Sequence, residues 1–415
     1  MITHRTAIGL ICATLFLDAL GIGILVPVFP DILARLNASP AFVHHNLGYF
    51  LSVHSLMQLL ASAALGSLSD RYGRRPVLLL SLLGASCSYL MMGIAPSLFW
   101  LFFGRMVSGL TEANVTVATS YIADVSTESQ RAARFGIAGA AFGVGFIAGP
   151  GIGGALSHFG VIVPSMAALA LNLINVALCY LLLPESLPSS SRRKVSLSQL
   201  IPFRFLHQIW QPSPLRRLFL LHFVVSLGFQ VYSSVWAVYT RTRFSWSPTA
   251  VGASMSLIGV LIAFSQGYLV RILAARFGER IALFIGCTFG LAGFLGFAFA
   301  TQGWMMYALL VAACPSAIIE PALRALLSRD APSDVQGERQ GTLIAIGNLA
   351  TIVGAPLYTR LFALVTTGST PSSLVGVPFV FAAGCALTAL LLLPGLRSLD
   401  VTQHKILAQR EGDPT

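Results

Sequence analysis

The chain has 415 residues, of which 55% are apolar and only 10% charged, with a mean hydropathy of +0.78. A soluble globule of this length needs far more charge to cover its surface, so the composition excludes one and requires a chain that dissolves in lipid. The net charge of +11 is spread over connecting segments rather than gathered in a patch, so no nucleic-acid partner is needed to explain it.

A helix needs ~20 apolar residues to cross a bilayer. Hydropathy and breaks predict twelve spans, near 6–29, 46–69, 76–95, 97–123, 134–158, 162–183, 215–240, 249–270, 281–300, 303–328, 341–365 and 374–396. The expected fold class is an all-α membrane protein. The short segment Met1–Arg5 runs into a first span too long for the core of a cleaved signal peptide, and it reads as a retained helix. Arg5, Arg71, Arg74, Arg75, Arg131, Arg134, Arg192, Arg193 and Lys194 fall in one set of alternate connections, whereas Arg35, Arg241 and Arg243 fall in the other. That bias predicts a multi-pass membrane protein with both termini in the cytoplasm.

Span 1 carries Asp18. His44-His45 follows in the first connection, without the further ligands that a metal site would need. His54 and Gln58 stand four apart on span 2 and share a helical face. Between spans 2 and 3 lies Gly66-Ser67-Leu68-Ser69-Asp70-Arg71-Tyr72-Gly73-Arg74-Arg75. Gly66 would let the end of span 2 approach a neighbour closely, and Gly73 would permit a turn that bulkier residues resist. Asp70 can accept hydrogen bonds from a helix N-terminus or pair with an arginine. The charges alone would serve to set topology; the ordered pattern points further, to a gate.

Span 4 holds Arg105, Glu112 and Asn114 and ends at Asp124, which with Arg131 or Arg134 forms a charged patch expected beside the 66–75 turn. Arg105 and Glu112 are seven apart, two turns on one face but ~10 Å along the axis. Each therefore needs a partner elsewhere, and Asp18 is the candidate for Arg105. Span 5 carries Gly143-Val144-Gly145-Phe146-Ile147-Ala148-Gly149-Pro150-Gly151-Ile152-Gly153-Gly154. Its glycines open a groove for close packing, and Pro150 predicts a kink.

After span 6, Pro184–Pro214 is rich in breakers, and its Phe203, Phe205, Leu206 and Trp210 suit a membrane surface. Span 7 brings Phe223, Phe229, Gln230, Tyr232 and Trp236, suited either to packing or to an amphipathic ligand. Span 10 brings Glu320. The six cysteines lie inside spans at wide spacing, with no metal or redox pattern, and no cofactor is expected. The halves repeat weakly: Arg71-Tyr72-Gly73-Arg74-Arg75 recurs as Arg276-Phe277-Gly278-Glu279-Arg280, and Glu112 and Arg131 recur as Glu320 and Arg339. The division read from this is 1–185, a linker over 186–214, 215–400 and a tail over 401–415.

The Gly-x-Leu-x-Asp-Arg-x-Gly-Arg-Arg pattern and the six-helix repeat resemble the major facilitator superfamily. The glycine-rich span 5 resembles the antiporter signature of its proton-coupled drug exporters. Leu17-Asp18-Ala19-Leu20-Gly21-Ile22-Gly23, Gly104-Arg105 and Tyr121-Ile122-Ala123-Asp124 are similar to the tetracycline-efflux branch. The resemblance implies twelve helices in two pseudo-symmetric halves, with helices 1, 4, 7 and 10 lining a central cavity. It implies a latch at Asp70 supported by Arg71 and Arg75, with Gly66, Gly73, Asp124, Arg131, Gly149 and Pro150 as further gating positions. Asp18, Glu112 and Glu320 then become the candidate proton carriers, tuned by Arg105. Candidate cargo contacts are His54, Gln58, Asn114, Gln230, Tyr232 and Trp236. The chain departs from that branch at Ser88, Ile262 and Gly290, where the relatives carry Asp, His and Asp, while Gln266 is retained.

The expectation is a monomeric, proton-coupled exporter of an amphipathic small molecule, a drug or a metabolite such as a siderophore. Its partners would be that molecule, protons and the bilayer. An importing permease on the same fold stays open, as does a sensor without transport. No nucleotide loop or nucleophile constellation supports an enzyme.

Overall fold

The computed structural model describes residues 4–188, 192, 215–328, 333–366 and 372–394. Most of the expected linker and the whole 401–415 tail, with Phe203, Phe205, Leu206 and Trp210, lie outside them. Among the described residues all regular structure is helical. This satisfies every backbone group within its own segment where no water is available.

Span 1 is α1 (His4–Leu25), a tight turn over Val26–Val28 and α2 (Phe29–Ala34). Spans 2 and 3 are α3 (Pro40–Tyr72) and α4 (Arg74–Ile94). Span 4 is split into α5 (Leu98–Thr111) and α6 (Asn114–Asp124). Then come α7 (Glu128–Leu156), α8 (Val163–Leu182), α9 (Leu215–Ser234), α10 (Trp236–Phe244) and α11 (Pro248–Phe264). After a π turn at Ser265–Leu269 follow α12 (Val270–Phe299), α13 (Gly303–Ala312), α14 (Ile319–Ser328), α15 (Ser333–Thr366) and α16 (Val377–Leu392).

Among the described residues, eight helical stretches are long and apolar enough to cross a bilayer, and ten when two bent pairs each count as one crossing. One stretch, Pro248–Phe299, has 52 residues. Unbroken it would be ~78 Å long, against ~30 Å of hydrocarbon. It is interrupted at Gly278, whose φ of 81° no helix contains, so it makes two spans. The split span 4 supplies the remaining one, and the twelve expected helices are present. Large apolar side chains such as Leu181, Leu364 and Leu391 face outward, more than 70% exposed, as lipid-facing residues should.

Contacts sort the chain into two compact units: Met1–Pro202 with Tyr232–Val260 and Thr351–Val375, and Phe203–Val231 with Leu261–Ala350 and Gly376–Thr415. In the first, Ile11, Leu15, Leu78, Leu82, Val117 and Tyr121 form the apolar core. In the second, Phe219, Leu283, Ile319, Leu323 and Ile346 do so.

Within the first unit α1 lies tight against α7. A Cβ on Gly149 would stand 2.6 Å from the Cα of Gly23, and one on Gly153 would strike the Ile24 backbone. The glycine run is thus a packing groove, as small residues between membrane helices are. Pro150 lies inside α7 and does not end it. Gly66 departs from expectation. Nothing described lies within 4 Å of where its Cβ would be, so it brings no neighbour close.

These two glycines therefore separate in a substitution test. Gly149→Val should cost ~1–3 kcal/mol through overpacking. Gly66→Ala should be neutral or stabilising by up to ~1 kcal/mol, because alanine is the better helix former. Thermal unfolding of the purified variants in detergent measures both.

Candidate functional site

A cavity of about 200 Å³ lies inside the first unit and gathers Asp18, His54, Tyr89, Arg105, Glu112 and Asn114. The break in span 4 makes this grouping possible. Glu112 leaves the helix at ψ 101° and Ala113 has φ −134°. The loosened backbone is satisfied by Ser81 on α4, whose hydroxyl donates to the Thr111 carbonyl at 2.5 Å and accepts from the Ala113 N–H at 3.2 Å. Irregular backbone at bilayer depth is tolerated where protein or a cavity covers it.

On one side of the break Glu112 Oε2 meets His54 Nε2 at 2.6 Å. On the other, Asn114 Nδ2 donates to Asp18 Oδ1 at 2.7 Å, with Asp18 only 3% exposed. His54 Nδ1 and Asn114 Oδ1 are buried without a hydrogen-bond partner among the described residues. The expected Asp18–Arg105 pair is not formed. The Arg105 guanidinium carbon lies 5.0 Å from the Phe50 ring centroid and 5.6 Å from that of Phe29, and its Nε donates weakly to the Phe50 carbonyl at 3.5 Å. Its charge is held by ring faces rather than by a carboxylate.

The other expected cargo residues stand elsewhere. Gln58 is one turn from His54 but does not line the cavity. From the α9–α10 segment only Ser233 reaches it. Trp236 is fully buried, its indole N–H donating to Ser254 Oγ at 3.0 Å, with the Tyr232 ring 5.5 Å away. Neither Trp236 nor Tyr232 lines this cavity. Gln230 belongs to the second unit.

Glu320 also lies in the second unit, where its Oε1 accepts from Arg324 Nε at 2.7 Å and its Oε2 stands 3.4 Å from His222 Nδ1. The other ring nitrogen of His222 is 3.2 Å from the Leu343 carbonyl. Gly290 abuts a small apolar hollow with Gly228 and Phe294.

The 66–75 turn is organised by a residue outside the expected gating set. Arg74, nearly buried, reaches Asp70 Oδ1 at 2.6 Å, Ser69 Oγ at 2.7 Å and Asp124 Oδ2 at 3.1 Å. The Asp124 patch does sit beside the turn, through Arg74. Arg71 stacks on Tyr72 and Arg75 donates to the Tyr180 carbonyl; neither supports Asp70. Arg131 is exposed and outside the patch, where Arg134 instead donates to the Val125 carbonyl at 2.8 Å. Glu185 was missed altogether. Its two oxygens accept the Arg74 and Arg75 backbone N–H groups at 2.8 and 3.1 Å, capping α4. Gly73, at φ 109°, leaves the room: a Cβ there would meet the Glu185 carboxylate.

At the opposite end of the same unit Arg241 makes a two-pronged pair with Asp31, at 2.5 and 2.8 Å, and donates to the Pro27 carbonyl at 3.0 Å. Ser52 reaches the Ile352 carbonyl at 3.1 Å beside it. Among the described residues no group of three or more His, Cys, Asp or Glu could hold a metal ion.

Comparison with known proteins bears on this arrangement. The sequence profile of the Major Facilitator Superfamily matches residues 11–355 and again 218–413. The chain is 38% identical to the tetracycline resistance protein, class C, of Escherichia coli over 393 residues, covering 95% of this chain and 97% of that one. It is 39% identical to the class G protein of Vibrio anguillarum over 346 residues, covering 83% and 88%. Among solved structures, the human organic anion transporter MFSD10 (TETRAN) superposes with a TM-score of 0.70 at 24% identity, covering 95% of this chain and all of that one. The nucleoside transporter NupG superposes at 0.75 and 12% identity, covering 94% and 98%.

The Asp31–Arg241 pair is two-pronged and is testable alone. Asp31→Asn or Arg241→Gln should each destabilise the protein by ~1.5–3 kcal/mol, the worth of a hydrogen bond to a charged group. The double variant should cost less than the sum of the singles. Thermal unfolding in detergent gives the cycle.

Proposed function

The chain belongs to the major facilitator superfamily, and we propose that it exports an amphipathic small molecule from the bacterial cytoplasm in exchange for protons. The transported molecule would be a drug or a self-made metabolite such as a siderophore. Membership makes it a multi-pass membrane transporter rather than an enzyme. Drug export is favoured by its likeness to tetracycline resistance proteins. Tetracycline itself is disfavoured, since the acids and the histidine of the resembling branch are replaced by Ser88, Gly290 and Ile262. The arginine bias among the connections supports both termini in the cytoplasm, and nothing in the proposed cycle needs more than one copy.

One observation carries the proton reading: Asp18 and Glu112 share a cavity, and each is held by a partner without a fixed positive charge. Protonating either carboxylate breaks no hydrogen-bonded pair with a lysine or arginine among the described residues. A proton and a cargo group therefore compete for the same oxygens, and His54, next to Glu112, is a ready donor and acceptor. Competition for one negative charge is sufficient to couple inward proton flow to outward transport. The Asp70–Arg74–Asp124 knot at one end and the Asp31–Arg241 pair at the other are suited to hold alternate states.

Everted vesicles carrying the chain should accumulate a substrate from an amphipathic drug panel, and an uncoupler should abolish this. Substrate addition should also release protons from the lumen. Asp18→Asn and Glu112→Gln should lower that release at least ~10-fold, the effect of losing ~1.4 kcal/mol of coupling. Unchanged release in both variants would overturn the proton assignment.

A further inference from the structure

The cavity holds two kinds of charge, and they are kept apart. Asp18 and Glu112 gather at the span 4 break, where Asn114 and His54 take one oxygen of each. Arg105 stands seven residues earlier in the same span, ~10 Å back along the axis. The rings of Phe29 and Phe50 fix its guanidinium, and its sole polar contact among the described residues is a marginal one from Nε to the Phe50 carbonyl. A guanidinium is a planar fork built to bind a carboxylate through two parallel hydrogen bonds. Two carboxylates occupy the same cavity, yet neither is used for this purpose.

A guanidinium that reaches Glu112 only through space, with no carboxylate hydrogen-bonded to it, is costly at bilayer depth unless something else completes it. The rest of the lining is apolar at Ile22, Leu25 and Leu51 and carries only neutral hydroxyls at Tyr89, Ser81, Ser108 and Ser233, none of them an anion. The remaining candidate is the cargo. We infer that the cavity takes a zwitterionic ligand, with its acidic group on Arg105, its cationic group on Asp18 and Glu112, and a short apolar body between them.

This rests on the cavity being the cargo site of the proposed exchanger, and it fits the exchange. The cationic group of the ligand competes with protons at the carboxylates, while its acidic group adds affinity at an arginine that no proton leaves at physiological pH. A purely cationic ligand would leave Arg105 unpaired. A purely anionic one would bind better when the carboxylates are protonated, which would couple proton and cargo in the same direction.

Three probes of one shape dissect the charges: 4-(aminomethyl)benzoate, its amide, which keeps only the cation, and 4-methylbenzoate, which keeps only the anion. Each is titrated by calorimetry into the full chain in nanodiscs, in weak buffer with a pH dye. The zwitterion should bind about tenfold more tightly than either single-charge probe, the effect of one charge-assisted hydrogen bond. In Arg105→Gln the zwitterion and its amide should bind alike, and Arg105→Lys should restore only part of the difference. Failure of the zwitterion to bind the unaltered protein overturns the inference, as does an amide that binds it equally well. The dye separates the two claims: zwitterion preference without proton release leaves this inference standing and sinks the proton exchange beneath it.

Discussion

A formal charge at the depth of a bilayer costs ~2.5–3.5 kcal/mol on insertion scales, and more where nothing compensates it. The way each buried charge is compensated orders the first unit. At one end Arg74 is fixed by Asp70 and Asp124, and at the other Arg241 is fixed by Asp31; these are pairs of permanent opposite charges. Between them Asp18 and Glu112 are held by an amide and an imidazole. Breaking an end pair leaves a stranded ion, which favours all-or-none rearrangement. Neutralising a central carboxylate breaks no such pair. Hard pairs at the ends and soft pairs in the middle give a unit that can change the charge of its centre without loosening its ends.

Backbone geometry puts the soft pairs in place. The α1–α7 contact is so close at Gly23 and Gly149 that α1 has little freedom to rotate, which fixes the direction of Asp18. The span 4 break does the same for Glu112 and Asn114. In an unbroken helix, residues two apart point roughly 200° away from each other. With the helix opened at Glu112–Ala113, both reach one cavity. One hydroxyl, that of Ser81, satisfies two of the backbone groups this frees, the Thr111 carbonyl and the Ala113 N–H.

Much of the architecture was legible in the sequence because the spans are set by length and polarity alone, which are local properties. Motif glycines were legible where a backbone angle is demanded, as at Gly73. Partners were not. Spacing tells which face of a helix Arg105 and Glu112 share, but not which neighbour turns toward them, so Asp18 was matched to Arg105 by charge when Asn114 was the nearer donor. His54 reads as a cargo contact beside Gln58 for the same reason, its carboxylate partner Glu112 lying on another span. The Thr111-Glu112-Ala113-Asn114 run was the available signal for the break: a polar, weakly helix-forming stretch in mid-span. Arg74 and Glu185 were overlooked because the turn pattern draws attention to Asp70, while a helix N-terminus is completed by whichever acid folds back onto it.

The second unit shows that a buried carboxylate is not enough for the chemistry of the first. Glu320 matches Glu112 in the sequence repeat, yet it carries a fixed partner, Arg324, one turn away on the same helix, and that arginine is tied in turn to Gln340 at 3.1 Å. A proton arriving at Glu320 would have to displace a permanent charge, with His222 left beside a freed guanidinium. The hollow near Gly290 is apolar and far smaller than the polar cavity of the first unit. Equivalent positions in the repeat have thus been given unlike surroundings. The softer pair, at Glu112, is the one whose charge a proton can cancel without breaking a hydrogen bond to an arginine.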